Sequence, residues 1–343
     1  MRRSLILLLR LLIATTVLLA GAWWMLNAVM DSAGPNSAEV RIQIAPGSNV
    51  RGIAVSLARE GVLSHPRLFE FSARLGNQAT RIQAGEYLLQ PHVSQRQLLN
   101  MLVEGRVWLH AITLVEGWTY HEMLTRLTTA EALVDDVSGL DDGSVMANLG
   151  LAGSHPEGRF FPDTYHVARG THISTLLKLA MRRMDQELEQ AWSTRAPSLP
   201  LEDAYEALIL ASIVEKETAL ASERPAIAGV FTRRLSKRMR LQTDPTVIYG
   251  LGPAFDGNLR RADLERDGPY NTYTRSGLPP TPICLPGRQA LRAATRPAEG
   301  TALYFVATGE DDGGHYFSST LEEHNQAVAR YLARLRQKRQ DSK

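Results

Sequence analysis

The sequence predicts an α+β protein: one transmembrane helix, a small strand–helix–helix–strand module, then a larger α+β unit. Three observations carry this. An uncharged stretch runs from Leu11 to Leu26, and Leu5–Leu9 extend it across the single Arg10. Beyond residue 30, helical and strand periodicities mix irregularly, with no internal repeat and no regular βαβ series. A new strand begins after Trp108, and 343 residues are more than a single core usually holds. The expected divisions are a flank and anchor over 1–30, a linker over 31–39, a module over 40–107 and a unit over 108–343.

The anchor comes first. A spanning helix needs about 20 predominantly apolar residues, and Leu5–Met30 supplies them if Arg10 snorkels toward the headgroups. Arg2, Arg3 and Arg10 precede the span, and the first charge after it is Asp31. The positive-inside rule then leaves the N-terminus in the cytoplasm and exports the rest. Trp23 and Trp24 stand near the far end, where indoles favour the interface. The alternative is a cleaved secretory signal, since Ala20-Gly21-Ala22 has the small-x-small form. Trp23–Leu26 continue the apolar run past that point, which favours the anchor. The single cysteine, Cys284, cannot form an intrachain disulfide, so core packing must stabilise the exported body.

Charge follows the same division. The total of 38 basic and 36 acidic residues, net +2, averages three unlike segments. Residues 1–30 carry +3, the tail over 330–343 carries +5, and the body between them carries −6. A nucleic-acid protein would place its positive charge on the folded body, so that class is excluded.

Asp31–Glu39, rich in Gly, Pro and Ser, reads as the linker. Val40–Ile44 alternates as a strand and turns at Ala45-Pro46-Gly47. Ser48 is the expected cap of a helix with Ile53, Ala54 and Leu57 on its core face, closing at Gly61. A second helix spans Pro66–Leu75 with Leu68, Phe69 and Phe71 inward. Gly85–Leu89 returns as a strand, and Ser94–Gly105 forms another helix. A unit of this order and length resembles a LysM-like fold, a βααβ arrangement that often binds N-acetylated glycans. In the larger unit, Leu109–Leu114 is a strand ending at Glu116-Gly117-Trp118. Residues 128–150 form an acidic surface stretch with partial helix. Ser174–Trp192 is a long amphipathic helix with Ser174 as its cap, and Ser319–Glu322 reads as a capping box opening the last helix.

Residues 200–287 concentrate the candidate chemistry. Glu202–Thr218 is a strongly apolar helix ending in two carboxylates, Glu215 and Glu217. Three, four and seven residues before Glu217 stand Val214, Ile213 and Leu210. The same offsets from Glu215 give Ser212, Ala211 and Leu208. Glu217 is therefore expected to be the more desolvated carboxyl, and the helix C-terminus further disfavours its charge. Both effects raise a pKa, as a general acid near neutral pH requires. The alternative for both is a pair of solvated acids on a last turn.

After a helix over Pro225–Met239, Gln242-Thr243-Asp244-Pro245-Thr246 reads as a tight polar loop into Val247–Tyr249. Asp244, preceding proline, is expected outside a helix, as a site residue or as an Asx-turn brace. Tyr270-Asn271-Thr272-Tyr273 combines aromatics and amides as sugar sites do, or else packs a loop with wet hydroxyls. Glu157–Tyr165 has the same character, with Phe160 and Phe161 as core plugs in the plainer reading. Asp311, Asp312, His315 and His324 lack metal-site spacing, so no metal is expected. No P-loop, GxGxxG or GxSxG occurs, and no cofactor is expected.

Together, EGRFFPDTY at 157–165, ASIVEKETALASER at 211–224, RLQTDPTVIYG at 240–250 and YNTYTRSGLPPTPI at 270–283 resemble the endolytic murein transglycosylase family (MltG, YceG-like). YFVATG and GGHYFSSTLEEHN, between 304 and 325, add to the match. Thr281, Cys284-Leu285 and Glu310–Asp312 depart from the family pattern in two loops. The resemblance implies a larger domain of the lytic transglycosylase type in a single-pass bacterial inner-membrane protein with a periplasmic body. It implies cleavage of peptidoglycan strands between N-acetylmuramic acid and N-acetylglucosamine, leaving 1,6-anhydro ends. The glutamate before Ser/Thr, here Glu217, is the implied catalytic acid, with Glu215 as fallback. Gln242, Asp244, Tyr270, Asn271, Tyr273 and Glu157 are the implied binding or supporting residues. Cell-wall synthases of the elongation or division machinery are candidate partners. Two rivals stay open: a glycan hydrolase using Glu217 with Asp244, and a non-catalytic, membrane-tethered glycan-binding scaffold.

Overall fold

The computed structural model describes residues 2–341; Met1, Ser342 and Lys343, the last a charge of the basic tail, lie outside them. The chain forms two compact units. One runs up to His110 and includes His166–Gly170, and the other comprises Ala111–Tyr165 and everything from Thr171 onward.

The first unit opens with helix α1 (Arg2–Asp31). Its side chains from Leu5 to Met25 project outward, Trp24 being 74% exposed, so among the described residues this stretch has little protein to pack against. It is long and apolar enough to cross a membrane. Its last turn behaves differently. Met30 is fully buried in the core of the unit, and Arg96 ties the turn down through Asp31 (2.5 Å) and Asn27 (2.6 Å).

Strands β1 (Val40–Ile44) and β2 (Gly85–Leu89) pair antiparallel, with Ile42 opposite Tyr87 and Ile44 opposite Gly85. Between them lie α2 (Val50–Arg59) and α3 (Pro66–Leu75), and α4 (Gln95–Glu104) follows. Asn49 caps α2, accepting from the Gly52 amide at 2.8 Å; Ser48 lies one residue too early to reach it. In α3, Phe69 and Ala73, four residues apart, define the buried stripe. Phe71 stands two residues out of phase with both and is 54% exposed, contrary to its expected inward position. Helix α4 has a reciprocal capping box between Ser94 and Gln97, and Gly105 ends it in the left-handed conformation (φ 66°). Phe69 is fully buried at the centre of this unit. Phe69→Ala is expected to cost about 3–5 kcal/mol, measurable as a lower urea midpoint.

Beyond the first four helices and two strands come β3 (Leu109–Thr113), α5 (Tyr120–Thr128), β4 (Leu133–Val134), α6 (Asp142–Asn148), β5 (Thr164–Ala168), β6 (Thr171–His172) and α7 (Ile173–Ser193). The division between the units runs through β3 and β5. Then come α8 (Ala204–Glu217), α9 (Arg224–Ser236), α10 (Asp244–Leu251), α11 (Arg261–Glu265), α12 (Arg288–Thr295), β7 (Tyr304–Ala307), β8 (His315–Ser318) and α13 (Leu321–Asp341). The sheets are two-stranded ladders, with β7 and β8 forming an antiparallel hairpin.

Helix α8 is the axis of the second unit. Every residue from Ala207 to Val214 is buried, so the helix is apolar all round and takes neighbours on every side. Helices α7, α9, α10 and α12 pack against it. Phe160 and Phe161 are core plugs, both buried.

Three local expectations shift. The start of α7 is satisfied from a distance: Asp136 accepts both the Ser174 amide (3.0 Å) and its hydroxyl (2.5 Å), so Ser174 is capped rather than capping. The last capping box sits one residue later, where Glu323 accepts from the Thr320 amide (3.2 Å) and Thr320 accepts from Glu323. Asp244 and Pro245 open helix α10 instead of forming a loop. In a first turn the missing proline N–H would have no partner anyway, and the Asp244 carboxylate complements the helix dipole. The basic tail continues α13. Arg334 and Lys338 pair with Glu310 and Asp311 in the hairpin loop, at 2.8 and 2.5 Å.

Candidate active site

Because α8 is buried on all faces, its last turn delivers both carboxylates out of a desolvated core, and their partners set them apart. Glu215 is paired. Its side chain is 4% exposed, one oxygen meets Arg224 Nη2 at 2.6 Å, and the other accepts the Gly287 amide at 2.9 Å. Desolvation raises its pKa, while the Gly287 amide and Arg224 oppose that rise. Burial alone therefore does not separate the two glutamates as their helical faces suggested.

Among the described residues, Glu217 has no cation of its own. It accepts a hydrogen bond from the Thr243 hydroxyl. Burial pushes its pKa up to about 7; the Thr243 bond opposes this, and the nearby Asp244 carboxylate adds to it. Glu217 still reaches solvent in a cleft of about 490 Å³, whose lining includes Arg234, Gln242, Asp244, Tyr273 and Tyr304.

The Thr243 hydroxyl is fixed by a stitched backbone. Thr272 accepts the Gln242 amide through its carbonyl and the Thr243 amide through its hydroxyl, both at 3.1 Å. Thr246 Oγ1 donates to the Thr243 carbonyl at 2.8 Å. Gln242 adopts φ 53°, a left-handed backbone that non-glycine residues seldom take and that clusters at functional sites. Asp244 Oδ1 accepts the Tyr273 hydroxyl at 2.5 Å.

Of the sequence-predicted residues, Glu217, Gln242, Asp244 and Tyr273 therefore line one cleft. The others take other places. Asn271 is a buried brace: its amide donates to the carbonyls of Asp263 (3.1 Å), Leu264 (3.1 Å) and Arg266 (2.6 Å), and its oxygen accepts the Tyr273 amide. Tyr270 packs edge-on against Tyr249 and shares a hydrogen bond with Thr281 at 2.7 Å. Glu157, only 2% exposed, accepts from the Tyr120 amide and the Tyr249 hydroxyl, both at 3.0 Å; desolvation pushes its pKa to about 7 without placing it in the cleft.

The acids and histidines near the last hairpin scatter. Asp311 takes Lys338, Asp312 accepts the Gly314 amide, His315 takes Glu223 and His324 stacks on Tyr304. Sequence reasoning missed Thr243, Thr272 and Arg224. Thr243 was at least visible as the middle residue of a polar triplet, but its partner lies 26 positions away.

A single carboxyl titrating near 7 in an open cleft, held by a hydroxyl donor, can give a proton and take one back near neutral pH. The YceG-like family matches residues 42–330. The chain is 30% identical to an endolytic murein transglycosylase of Streptococcus pneumoniae over 94% of its own length, and spans about 64% of that relative. It is 31% identical to an endolytic murein transglycosylase of Bacillus subtilis, covering 86% of this chain and 85% of the relative. The crystal structure of a YceG-like protein from Listeria monocytogenes is similar with a TM-score of 0.50 at 30% identity, over 84% of this chain and 99% of the other. A match that takes in most of the described chain, α8 and its cleft included, leaves one assignment: the chain belongs to the YceG-like family.

Proposed function

We propose that this protein is a membrane-anchored peptidoglycan lytic transglycosylase that cuts glycan strands internally, with Glu217 as acid and then base. The observation that carries the reading is the Glu217 carboxyl, its pKa pushed up to about 7 by burial, lining a cleft beside Thr243. Protonated Glu217 gives its proton to the glycosidic oxygen between N-acetylmuramic acid and N-acetylglucosamine, and the bond from that oxygen to the anomeric carbon breaks. The resulting carboxylate removes the proton of the muramic-acid C6 hydroxyl, whose oxygen bonds to the anomeric carbon. The product end is a 1,6-anhydro sugar, and Glu217 is again protonated. The substrate's own hydroxyl replaces water, so a second carboxylate is not needed, unlike the paired acids of glycosidases.

In this reading α1 crosses the inner membrane with its N-terminus cytoplasmic, and the body lies in the periplasm. Residues 40–107 form a LysM-like module, and cell-wall synthases of the elongation or division machinery are the protein's partners. A hydrolytic reading draws on Asp244, which shares the cleft with Glu217. Mass spectrometry of digested sacculi separates the two, because hydrolysis leaves reducing ends and no anhydro sugar.

Thr243 tunes the acid. A hydrogen bond to the charged form favours that form, so Thr243→Val is expected to raise the Glu217 pKa further and move the alkaline limb of the pH–rate profile upward. Thr243→Ser keeps the donor and should keep the wild-type profile.

A further inference from the structure

Glu217 borders a second cleft, of about 540 Å³, and this cleft shares no residue with the first except Glu217 itself. The second cleft is lined by the turn Val115–Trp118 and by the end of α8 with the residues that follow it. The turn is rigid. Gly117, at φ 79°, donates its amide to the Leu285 carbonyl (2.9 Å), and the Leu285 amide returns a bond to the Trp118 carbonyl (2.8 Å). Lys216 Nζ closes on the Gly117 carbonyl at 3.3 Å. On this clamped backbone Trp118 is half-buried, and its indole has neither a hydrogen-bond partner nor a ring partner among the described residues.

A tryptophan on a clamped backbone that lines a cleft, with neither ring partner nor N–H partner among the described residues, is suited to receive something flat and amphipathic. A pyranose ring fits: its C–H face packs on the indole, and its hydroxyls and acetamido group take polar partners. The placement adds a direction. A carboxyl that cuts a chain in its middle needs sugars bound on both sides of the bond, and two clefts with otherwise different linings meet at Glu217.

We propose that the Trp118 cleft is a second glycan-binding site, stacking an N-acetylated sugar on the indole so that the strand runs through both clefts across Glu217. This rests on the glycan-cleaving reading above, and it adds the residue that holds the other half of the strand.

The test uses the full chain in detergent. Binding is read in a Glu217→Gln background with the N-acetylglucosamine tetramer and with peptide-free glycan strands, and turnover is read on the strands with Glu217 intact. Trp118→Ala is expected to weaken strand binding and raise KM about tenfold and to change the product lengths. Trp118→Phe, which keeps a ring, should restore most of the binding. Melting temperatures of both variants identify a folding defect, and the Phe variant keeps the test decisive if the Ala variant unfolds. Unchanged affinity, KM and product lengths in Trp118→Ala would overturn the proposal. Weakened binding in Trp118→Ala with no anhydro product from the wild type would sink the transglycosylase reading and leave the second site standing.

Discussion

Replacing Glu217 by glutamine is expected to lower the release of anhydro-ended fragments about 10³- to 10⁴-fold, the share that a positioned acid–base group commonly supplies. Glutamine keeps the shape and one acceptor for Thr243 but carries no proton to give. The same group is expected to set the pH response of the wild type. The Glu217 pKa lies near 7, so the acid form fades, and the rate with it, as pH rises through neutrality. Stability moves in the same direction. A carboxyl whose folded pKa is raised above its ordinary 4.5 stabilises fully below that value, and the contribution is lost as pH climbs through 7. Glu217→Gln should therefore lose less stability than the wild type between pH 5 and 8 in urea melts. Some slope will remain, because Glu157 is raised to about 7 by the same desolvation. A variant that keeps wild-type turnover would remove Glu217 from the chemistry, and one that steepens the pH slope would remove the desolvation argument.

The second large effect concerns the neighbouring carboxylate. Glu215 and Arg224 have side chains only 4% and 8% exposed and meet at 2.6 Å. Arg224→Met leaves the carboxylate buried without its cation, at a cost of about 3–5 kcal/mol. The double replacement Arg224→Met with Glu215→Gln removes the stranded charge and should recover a large part of that loss. Denaturation midpoints of the two single variants and the double variant measure the coupling. The pair ties the end of α8 to the start of α9, so the loop beside Glu217 depends on it, and activity should fall with Arg224→Met as well. Independent, additive losses would mean that the two charges do not interact as the geometry indicates.

Much of the fold was legible because the signals were local. The alternation of Ile42 and Ile44, the Pro66 start of α3 and the Ser94–Gly105 cap pair each specify their element within a few residues. Where two capping residues competed side by side, as at Ser48 and Asn49 or Ser319 and Thr320, the choice came from backbone geometry that side-chain type does not encode. Asp244-Pro245 failed for a related reason. Proline forbids a helix interior but suits its first turn, and the dipeptide alone does not say which is present.

By itself, the sequence determined that the first helix is apolar and long enough to span a membrane, that α8 is strongly apolar, and that two carboxylates stand at the end of α8. These follow from composition and period along a single element. Only the tertiary structure decided which carboxylate is neutralised by an arginine and which is left to a threonine hydroxyl, and which polar residues share the Glu217 cleft. Arg224 and Gly287 stand 9 and 72 positions from Glu215, and Thr243 stands 26 from Glu217. A pKa depends on what surrounds a group in space, and along the chain those partners are strangers.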